Sequence, residues 1–292
     1  MVAEVLRHLA PAPRQVVVDC TLGGGGHARA ILERLQPGGR LIGIDVDPLE
    51  LPATETRLRA AGFGPDAFVA RIDNFARLPG VLASVGHPAV DAILVDLGVS
   101  SMQHDTAARG FSHKLPGPLD LRMDPTHGTP ASERLAALDE YELAQVLDAH
   151  ADEPHARLVA RLLVDARPRT THALERVVRL GLTAAIPALS KADVKMSVRR
   201  TFQALRILVN DELTALDALL AALPACLAPG GRVVMLTFHS GEDRRVKQAF
   251  RSGRRTGIYA AIADDVVRSA KAETFANRRA ASAKLRWAVR AG

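Results

Sequence analysis

The stretch Val16-Val-Val-Asp-Cys-Thr-Leu-Gly-Gly-Gly-Gly-His27 decides how the rest of this sequence is interpreted. A run of β-branched apolar residues ends in Asp19, four consecutive glycines follow, and a helix-forming stretch covers residues 28–35. This order predicts a strand, a tight turn and a helix. Glycines in such a turn let the backbone approach a ligand closely, and the start of the helix offers free N–H groups. A turn with a purely structural role is the alternative for this stretch taken alone.

A second apolar run, Arg40-Leu-Ile-Gly-Ile-Asp45, also ends in a carboxylate. Asp45 lies 19 residues after Gly26, about the spacing at which an acidic residue accepts the ribose hydroxyls of a nucleotide. The glycines do not match the dinucleotide pattern G-x-G-x-x-G, and they are closer to the acidic-x-x-x-Gly-x-Gly loop of S-adenosylmethionine enzymes. Since that cofactor contains no phosphate, the loop has no pyrophosphate to bind, and we expect S-adenosylmethionine as the cofactor.

Further apolar runs extend the predicted sheet. Residues 68–72, 90–97 and 232–238 are predicted as parallel strands, and the alternating stretch 282–290 as a half-exposed last strand. Asp96 closes the fourth strand, where a carboxylate in sheets of this kind lies beside the methyl group that is transferred. Phe75 follows the third strand, and it either stacks on the adenine ring or belongs to the core.

The periodicity becomes helical after the fourth strand. Helical spacing is found in four segments, 132–138, 140–150, 154–166 and 172–185, with Ser132 as a candidate cap. The spacing predicts one long helix over residues 201–223. Ser240 and Asp243 are predicted to cap the helix that follows the fifth strand, and no carboxylate partner is identified for His239. These patterns predict a domain formed by residues 1–104 and 201–292, with a helical insertion domain over residues 105–200.

The charge of the chain is unevenly distributed. Residues 239–292 contain 13 Lys and Arg against 5 Asp and Glu, a net charge of +8, whereas the whole chain carries +6. A basic end on a nearly neutral body favours a polyanionic partner, and an ordinary arginine-rich surface is the alternative. Further positive charge lies at Lys191, Lys195, Arg199 and Arg200, where a solvated loop is the alternative to a phosphate contact.

The composition also indicates the cellular compartment in which the protein is expected. Two cysteines form neither a disulfide framework nor a metal cluster. The sequence contains no run of 18 uninterrupted apolar residues and no recognisable signal peptide. We therefore expect a cytoplasmic protein that needs neither a membrane nor a metal.

Taken together, the motifs resemble those of the MraW-type (RsmH-type) methyltransferases, which methylate N4 of a cytidine in the decoding region of small-subunit ribosomal RNA. The resemblance covers nearly the whole chain, and it is specific because several blocks match at once. These blocks are residues 19–27, 41–45, 96–101, 109–112, 117–124, 200–206, 209–213, 238–240 and 242–244.

The resemblance implies an α/β fold, namely a class I S-adenosylmethionine-dependent methyltransferase (Rossmann-like) sheet with a helical insertion after the fourth strand. It implies 16S ribosomal RNA or the small ribosomal subunit as partner, and it leaves open whether the protein is a monomer or a homodimer. It also implies roles for individual residues, with Asp96 as the catalytic candidate or a cofactor ligand only. The implied cofactor-binding residues are Gly25, Gly26, His27, Asp45, Phe75, Asp96 and Gln103.

Departures from the family pattern lie in the substrate and tail regions. At the start of the chain, Met1-Val-Ala-Glu4 stands where the family usually has His-x-Pro-Val, and in the insertion Ala151-Asp-Glu-Pro154 stands where it usually has Gly-Glu-Glu. Nearer the end, Gly241 replaces a leucine and Asn277-Arg-Arg279 replaces Asn-Pro-Arg. A paralogous methyltransferase acting on another RNA or nucleic-acid amine therefore remains open, as does a non-catalytic RNA-binding assembly factor.

Two other enzyme classes fit the sequence less well. A nicotinamide oxidoreductase would need G-x-G-x-x-G spacing and a catalytic Tyr-Lys or His pair. A DNA amine methyltransferase would show an Asp/Ser-Pro-Pro-aromatic turn where this chain has Asp96-Leu-Gly-Val99.

Overall fold

The computed structural model describes the backbone of residues 1–292 and every side chain except those of residues 271, 272, 276, 278 and 279. The side chains of the last two residues in the tail motif 277–279 therefore lie outside the described part. The chain divides into two compact units, one formed by Met1–Gly98 with Leu213–Gly292 and the other by Val99–Glu212. The predicted insertion, residues 105–200, lies within the second unit.

The first unit is built on an eight-stranded sheet with the order β3-β2-β1-β4-β5-β8-β6, in which β7 also pairs with β8. Neighbouring strands from β3 to β5 are parallel, and β8 is antiparallel to β5, β6 and β7. The strands are β1 Val16–Asp19, β2 Arg40–Asp45, β3 Phe68–Ile72, β4 Val90–Asp96, β5 Leu227–Thr237, β6 Tyr259–Ile262, β7 Val267–Arg268 and β8 Lys284–Arg290.

Helices connect the strands and make up most of the second unit. They are α1 Val2–Leu9, α2 Gly26–Leu35, α3 Glu50–Ala60, α4 Leu78–Ser84, α5 Ser101–Asp105, α6 Ala131–Ala137, α7 Glu140–Ala151, α8 Ala156–Ala166, α9 Thr171–Ala185, α10 Lys191–Asn210, α11 Glu212–Cys226, α12 Ser240–Arg255 and α13 Lys271–Ala276. Among the helices that the structure describes, none has both the length and the apolar character needed to cross a lipid bilayer.

Helices cover both faces of the sheet in the first unit. Successive residues of a strand point to opposite faces, so Ile93 packs with α4, α11 and α12 while its neighbour Leu94 packs with α1, α2 and α3. This explains why β4 is apolar at nearly every position, since a strand buried on both faces has no solvent side. Burying each such Leu or Ile contributes about 1.5–3 kcal/mol to the free energy of folding.

The second unit has its own hydrophobic core. Leucines and valines of α6 to α10 form this core, including Leu135, Leu147, Leu163, Val178 and Leu205. Within residues 99–212, β-pairing is limited to a single bridge between Pro118 and Thr170. The helical periodicity of the sequence therefore corresponds to a helical unit, with α6 to α9 starting and ending within two residues of the predicted bounds.

The prediction of one long helix over residues 201–223 is wrong. Residues 191–210 form α10, and Asp211 adopts a left-handed conformation with φ 49° before α11 begins at Glu212. A left-handed residue ends a helix because the next N–H can no longer continue the i to i−4 ladder. The Asn210 side chain strengthens the break, since its Nδ2 donates to the carbonyl oxygens of Leu121 and Arg206 at 2.7 and 2.8 Å.

Two predicted caps are also wrong. Ser132 lies inside α6, which begins at Ala131 after Pro130 and has no side-chain cap. His239, rather than Ser240, is the cap of α12: its Nδ1 accepts the N–H of Glu242 at 3.4 Å, and the Glu242 carboxylate accepts the N–H of His239. The carboxylate partner of His239 is therefore Glu242, whose Oε1 lies 3.0 Å from Nε2.

Candidate functional site

The carboxyl ends of three neighbouring strands carry three carboxylates. Asp19 closes β1, Asp45 closes β2 and Asp96 closes β4, and the strand register places Asp19 opposite Gly43 of β2 and Leu94 of β4. Ligands of open α/β sheets bind at this edge, outside the carboxyl ends of the strands. This edge of the sheet is therefore the candidate site of the first unit.

The glycine turn is held to this edge by specific hydrogen bonds. The Gly23 N–H donates to Asp45 Oδ2 at 2.7 Å, and Thr54 Oγ1 of α3 donates to the Gly23 carbonyl oxygen at 2.5 Å. Gly25 has φ 77°, and a Cβ added there would lie 2.7 Å from Thr54 Cγ2. A side chain at position 25 is excluded both by this conformation and by the close approach of α3.

Two other glycines of the turn face open space. A Cβ added at Gly24 or at Gly26 meets no atom within 4 Å. These positions are therefore not glycine because of packing within the protein. A ligand approaching the backbone gives a physical reason for their lack of a side chain.

Asp45 is engaged on both carboxylate oxygens. Its Oδ2 accepts the Gly23 N–H, and its Oδ1 accepts the Asp47 N–H at 2.9 Å. Burial raises the pKa of this carboxyl above its usual value, and the backbone donors at Asp47 and Gly23 counteract that effect. Each oxygen has a second lone pair, so the group can still accept hydrogen bonds from ribose hydroxyls.

Asp96 is positioned by the end of the first strand. Its N–H donates to Thr21 Oγ1 at 2.7 Å, and the Thr21 N–H donates to Asp19 Oδ1 at 3.1 Å. Asp96 Oδ2 lies 3.5 Å from His27 Nε2, in the first turn of α2. Asp96 Oδ1 and His27 Nδ1 are buried, and neither has a hydrogen-bond partner among the residues that the structure describes.

The charges at this edge influence one another. Burial raises the pKa of Asp19 to about 7, although the nearby His27 lowers it, and the carboxylates of Asp96 and Asp45 raise it further. Burial by itself would lower the pKa of His27, but its hydrogen bond to Asp96 and the charges of Asp96 and Asp19 outweigh this, so the pKa is raised. Two carboxylates, Asp96 and Asp19, therefore act on the imidazole of His27, and the negative charge at this edge favours a cationic ligand.

Phe75 lies next to the three strand ends that carry the carboxylates. Phe75 follows β3 in a short 3₁₀ turn, is half-buried and packs against the core on the α4 side of the sheet. The neighbouring Asp73 N–H donates to the carbonyl oxygen of Asp45, which ties the end of β3 to the end of β2. The structure thus brings Gly25, Gly26, His27, Asp45 and Asp96 to one edge of the sheet, with Phe75 following the next strand along.

Gln103 belongs to the second unit, where it has a local structural role. It is buried, and it forms the capping box of α5 with Ser100. The Ser100 N–H donates to Gln103 Oε1 at 3.0 Å, and the Gln103 N–H donates to Ser100 Oγ at 3.1 Å.

Sequence reasoning missed three residues of this site. The sequence marks Asp19 only as the acidic end of a strand and gives Thr21 and Thr54 no role, yet hydrogen bonds of all three fix the turn or the fourth strand. The signal that was available is polarity, since Asp19 and Thr21 interrupt an apolar and glycine-rich stretch. Thr54 gives no such signal, because a threonine in an amphipathic helix is ordinary.

The site fits S-adenosylmethionine better than a metal ion. Open space beside Gly24 and Gly26, buried acceptors at the strand ends and the excess of carboxylates suit a nucleoside that carries a positive charge. Within the described part of the chain, no group of three or more His, Cys, Asp or Glu residues is arranged to hold a metal ion.

Comparison with known proteins identifies a family whose members are similar to this chain over nearly its whole length. The model of the MraW methylase family matches residues 1–291. The ribosomal RNA small subunit methyltransferase H 1 of Agathobacter rectalis is 44% identical over 297 residues, covering 100% of this chain and 84% of the relative. The ribosomal RNA small subunit methyltransferase H of Myxococcus xanthus is 45% identical over 302 residues, covering 98% of this chain and 94% of the relative.

Among solved structures, a Streptococcus mutans protein in complex with SAH aligns with 99% of this chain and 97% of its own. The identity is 8% and the TM-score is 0.48.

Proposed function

The chain belongs to the MraW methylase family, and from this premise we propose that it transfers a methyl group from S-adenosylmethionine to N4 of a cytidine in the decoding region of 16S ribosomal RNA. The fold is that of the class I methyltransferases that use this cofactor. The identity of 44–45% to ribosomal RNA small subunit methyltransferases H over nearly the whole chain carries the proposal. The choice of N4 and of the decoding region follows from the motif resemblance.

The residues of the glycine turn and of the strand ends would hold the cofactor. Asp45 would accept the ribose hydroxyls, the backbone of Gly25 and Gly26 would contact the nucleoside, and Phe75 would contact the adenine. When bound, S-adenosylmethionine supplies an electrophilic methyl group on a sulfonium. His27 lies beside Asp96, and its proposed role is to form hydrogen bonds rather than to fill space in the site. Gln103 is proposed as a cofactor residue on the resemblance alone.

Asp96 is the proposed catalytic residue. The exocyclic amine of cytosine is a weak nucleophile because its lone pair is delocalised into the ring. The Asp96 side chain is partly exposed, and its Oδ2, which lies 3.5 Å from His27 Nε2, is available to accept one hydrogen of that amine. Accepting it favours a pyramidal nitrogen whose lone pair points at the methyl group, and the same oxygen takes the proton that the amine must lose. Alignment of the two reactants accounts for much of the remaining rate enhancement.

The RNA must present a single base to this edge of the sheet. A paired cytidine would have to be extruded from its helix first. The cations of residues 191–200, which lie in α10 of the second unit, are proposed to hold phosphates. Binding should then weaken steeply as salt rises, because each neutralised phosphate releases counterions. The small ribosomal subunit in the cytoplasm is the proposed partner.

Methyl transfer to ribosomal particles tests the proposal directly. Small subunits from a strain that lacks the enzyme are incubated with the protein and tritiated S-adenosylmethionine, and nucleosides are then identified by mass spectrometry. We expect N4-methylated cytidine at one position of 16S ribosomal RNA.

The other outcomes of this experiment identify the alternatives. A labelled nucleoside of another kind, or label in another RNA, would indicate a paralogous methyltransferase. Cofactor binding in calorimetry without any transfer to RNA would indicate a non-catalytic assembly factor and would contradict the proposal.

A further inference from the structure

Helix α12 carries a stripe of cations on one flank. Lys247, Arg251, Arg254 and Arg255 are spaced at i, i+4, i+7 and i+8, which at 100° per residue puts them within about 100° of the helix circumference. Lys247 is half-exposed, and the three arginines are exposed. None of these four side chains forms an ion pair or a hydrogen bond with any side chain or backbone group that the structure describes. We call these four residues the α12 stripe.

The opposite flank of α12 fixes the helix on the sheet. Val246 and Phe250 are buried in the core, and the Phe250 ring meets the Tyr259 ring of β6 edge to face with centroids 5.5 Å apart. Gly253 lies against the same tyrosine, since a Cβ there would be 2.4 Å from Tyr259 Cδ2. The helix therefore cannot rotate to bury its cations, and the α12 stripe faces outward.

Two other charged residues of the helix form ion pairs. Arg245 pairs with Asp217 of α11 at 3.2 Å, and Asp243 pairs with Lys284 and Arg286 of β8 at 3.1 and 2.7 Å. Asp243 lies one turn before Lys247 on the same side of the helix, but its carboxylate is already paired with two cations of β8. Four like charges on one helix flank repel one another and destabilise the helix slightly, which a polyanionic ligand would relieve.

From this arrangement we infer that the α12 stripe binds the phosphate backbone of the RNA substrate, a second contact beyond those already proposed. The inference rests on the proposed RNA substrate. Phosphates fit because the stripe extends about 12 Å along the helix, at 1.5 Å per residue, a length that spans two to three phosphates.

Three features favour RNA phosphates over other partners. The exposed flank contains Gln248 and Ser252 beside the cations, and the large apolar residues Val246 and Phe250 are buried, so the helix has no apolar face for a membrane. The stripe contains no aromatic side chain on which a base could stack, so it is suited to sequence-independent backbone contact. Helix α12 also begins directly after β5, whose Leu236 lies opposite Asp96 in the sheet.

The position of α12 directly after β5 suggests what a contact between the α12 stripe and RNA would do. RNA that follows α12 would run away from the edge where the target base must lie, so the stripe would hold nucleotides flanking the target. Such contacts fix the register of the RNA without contributing to the chemistry. The stripe should therefore affect KM for RNA and leave kcat largely unchanged.

A charge-matched pair of variants tests the inference. The stripe variant carries Lys247→Gln, Arg251→Gln, Arg254→Gln and Arg255→Gln. The control variant removes four exposed cations that are scattered over the same unit, by Arg7→Gln, Arg14→Gln, Arg34→Gln and Arg71→Gln. Both variants change the net charge equally, so a difference between them reports on location. A third variant, which carries Arg251→Lys, Arg254→Lys and Arg255→Lys, keeps the charge and should behave like the wild type.

RNA binding is measured from about 50 to 200 mM salt on two hairpins, one of decoding-region sequence and one unrelated. We expect the stripe variant to bind both hairpins roughly 10- to 100-fold more weakly, with a salt slope lower by roughly two to three. The control variant should lose at most about threefold in affinity. Cofactor affinity, measured by calorimetry, should be unchanged in every variant and serves as the folding check.

Equal losses in the stripe and control variants would overturn the inference, because they would indicate a general charge effect. It would also be overturned if the wild type bound no RNA, or if only binding to anionic lipid vesicles depended on the stripe. A failure of the proposed function is distinguishable from a failure of this inference. If the wild type binds RNA through the α12 stripe but does not methylate small subunits, the inference about RNA binding is supported and the proposed reaction is contradicted.

Discussion

Nε2 of His27 lies 3.5 Å from Oδ2 of Asp96, and each of these two side chains keeps one further polar atom that is buried without a partner among the described residues. Leaving a buried polar atom unpaired costs about 1–3 kcal/mol. The contact joins the start of α2 to the end of β4, two elements 69 residues apart in the sequence. Both unpaired atoms lie at the edge of the sheet where ligands bind, which is where a protein tolerates such a cost for function.

Replacement of Asp96 tests its chemical role. Asp96→Asn keeps the shape of the side chain and removes its charge, so the amine hydrogen loses its proton acceptor. We expect kcat to fall by roughly 10²- to 10⁴-fold, while RNA affinity stays within several-fold of the wild type. Asp66→Asn, which changes an exposed carboxylate of the same unit, serves as the control. If turnover is retained, Asp96 has no chemical role. If the whole loss appears in cofactor affinity, Asp96 only binds the cofactor.

Two adjacent glycines should respond to alanine in opposite ways. Gly26→Ala adds a Cβ that meets no protein atom within 4 Å, so the fold should be unaffected and the loss should appear in cofactor binding, at roughly tenfold or more. Gly25→Ala forces φ 77° on a side chain and brings its Cβ to 2.7 Å from Thr54, so it should destabilise the protein by about 1–3 kcal/mol. Calorimetric titration and thermal unfolding of both variants separate the two effects. Unchanged cofactor affinity in Gly26→Ala would place the cofactor away from this turn.

Thr21 is expected to act as a positioning residue. Thr21→Val keeps the branched shape but removes the oxygen that accepts the Asp96 N–H at 2.7 Å. We expect a loss of about 1–3 kcal/mol in the free energy of unfolding and a lower kcat with little change in KM. Thr21→Ser restores the hydroxyl and should recover kcat.

The control for this prediction is Thr56→Val, which removes an exposed hydroxyl that donates to Pro52 in α3. If Thr21→Ser fails to recover kcat, or if Thr21→Val lowers stability alone, the hydroxyl has a structural role only.

The sheet and its helices were largely predictable because they depend on local periodicity. β3 was predicted with the bounds that the structure gives, and α9 with its last residue, since apolar spacing and flanking turns specify such elements directly. The break at Asp211 was not predictable in this way. Val209, Leu213 and Leu216 keep helical spacing across it, so the periodic signal continues through a residue that is left-handed.

Within the candidate site, the carboxylates at the strand ends could be predicted from the sequence, whereas the residues that support them could not. Asp45 and Asp96 close apolar runs, so their place at the sheet edge follows from topology. The contacts from Thr21 to Asp96 and from Thr54 to Gly23 join residues 75 and 31 positions apart, and no local pattern encodes them. The cap at His239 was missed because serine is the commoner capping residue, whereas here an imidazole nitrogen accepts the N–H of Glu242.

The buried Asp19 should make the stability of the cofactor-free protein depend on pH. In the unfolded chain this carboxyl ionises near 3.8, but in the folded chain burial raises its pKa to about 7. Between these two values the folded state binds a proton that the unfolded state has lost, so stability falls as the pH rises. The raised pKa of His27 acts in the same direction, because its contribution is present below 6.5 and is lost as the pH rises through the folded value.

Asp19→Asn removes the acidic part of this dependence. The difference between 3.8 and about 7 corresponds to about 4 kcal/mol at most, so the variant should be the more stable protein at pH 8 and should show a flatter profile between pH 4 and 7. Urea unfolding at several pH values in that range measures the effect, with Asp66→Asn as the exposed-carboxylate control. The prediction is contradicted if the stability of the wild type rises from pH 4 to 7 and the Asp19→Asn variant shows the same profile. Asp19 would then be ionised in the folded protein, and the charge balance of the cofactor site would have to be revised.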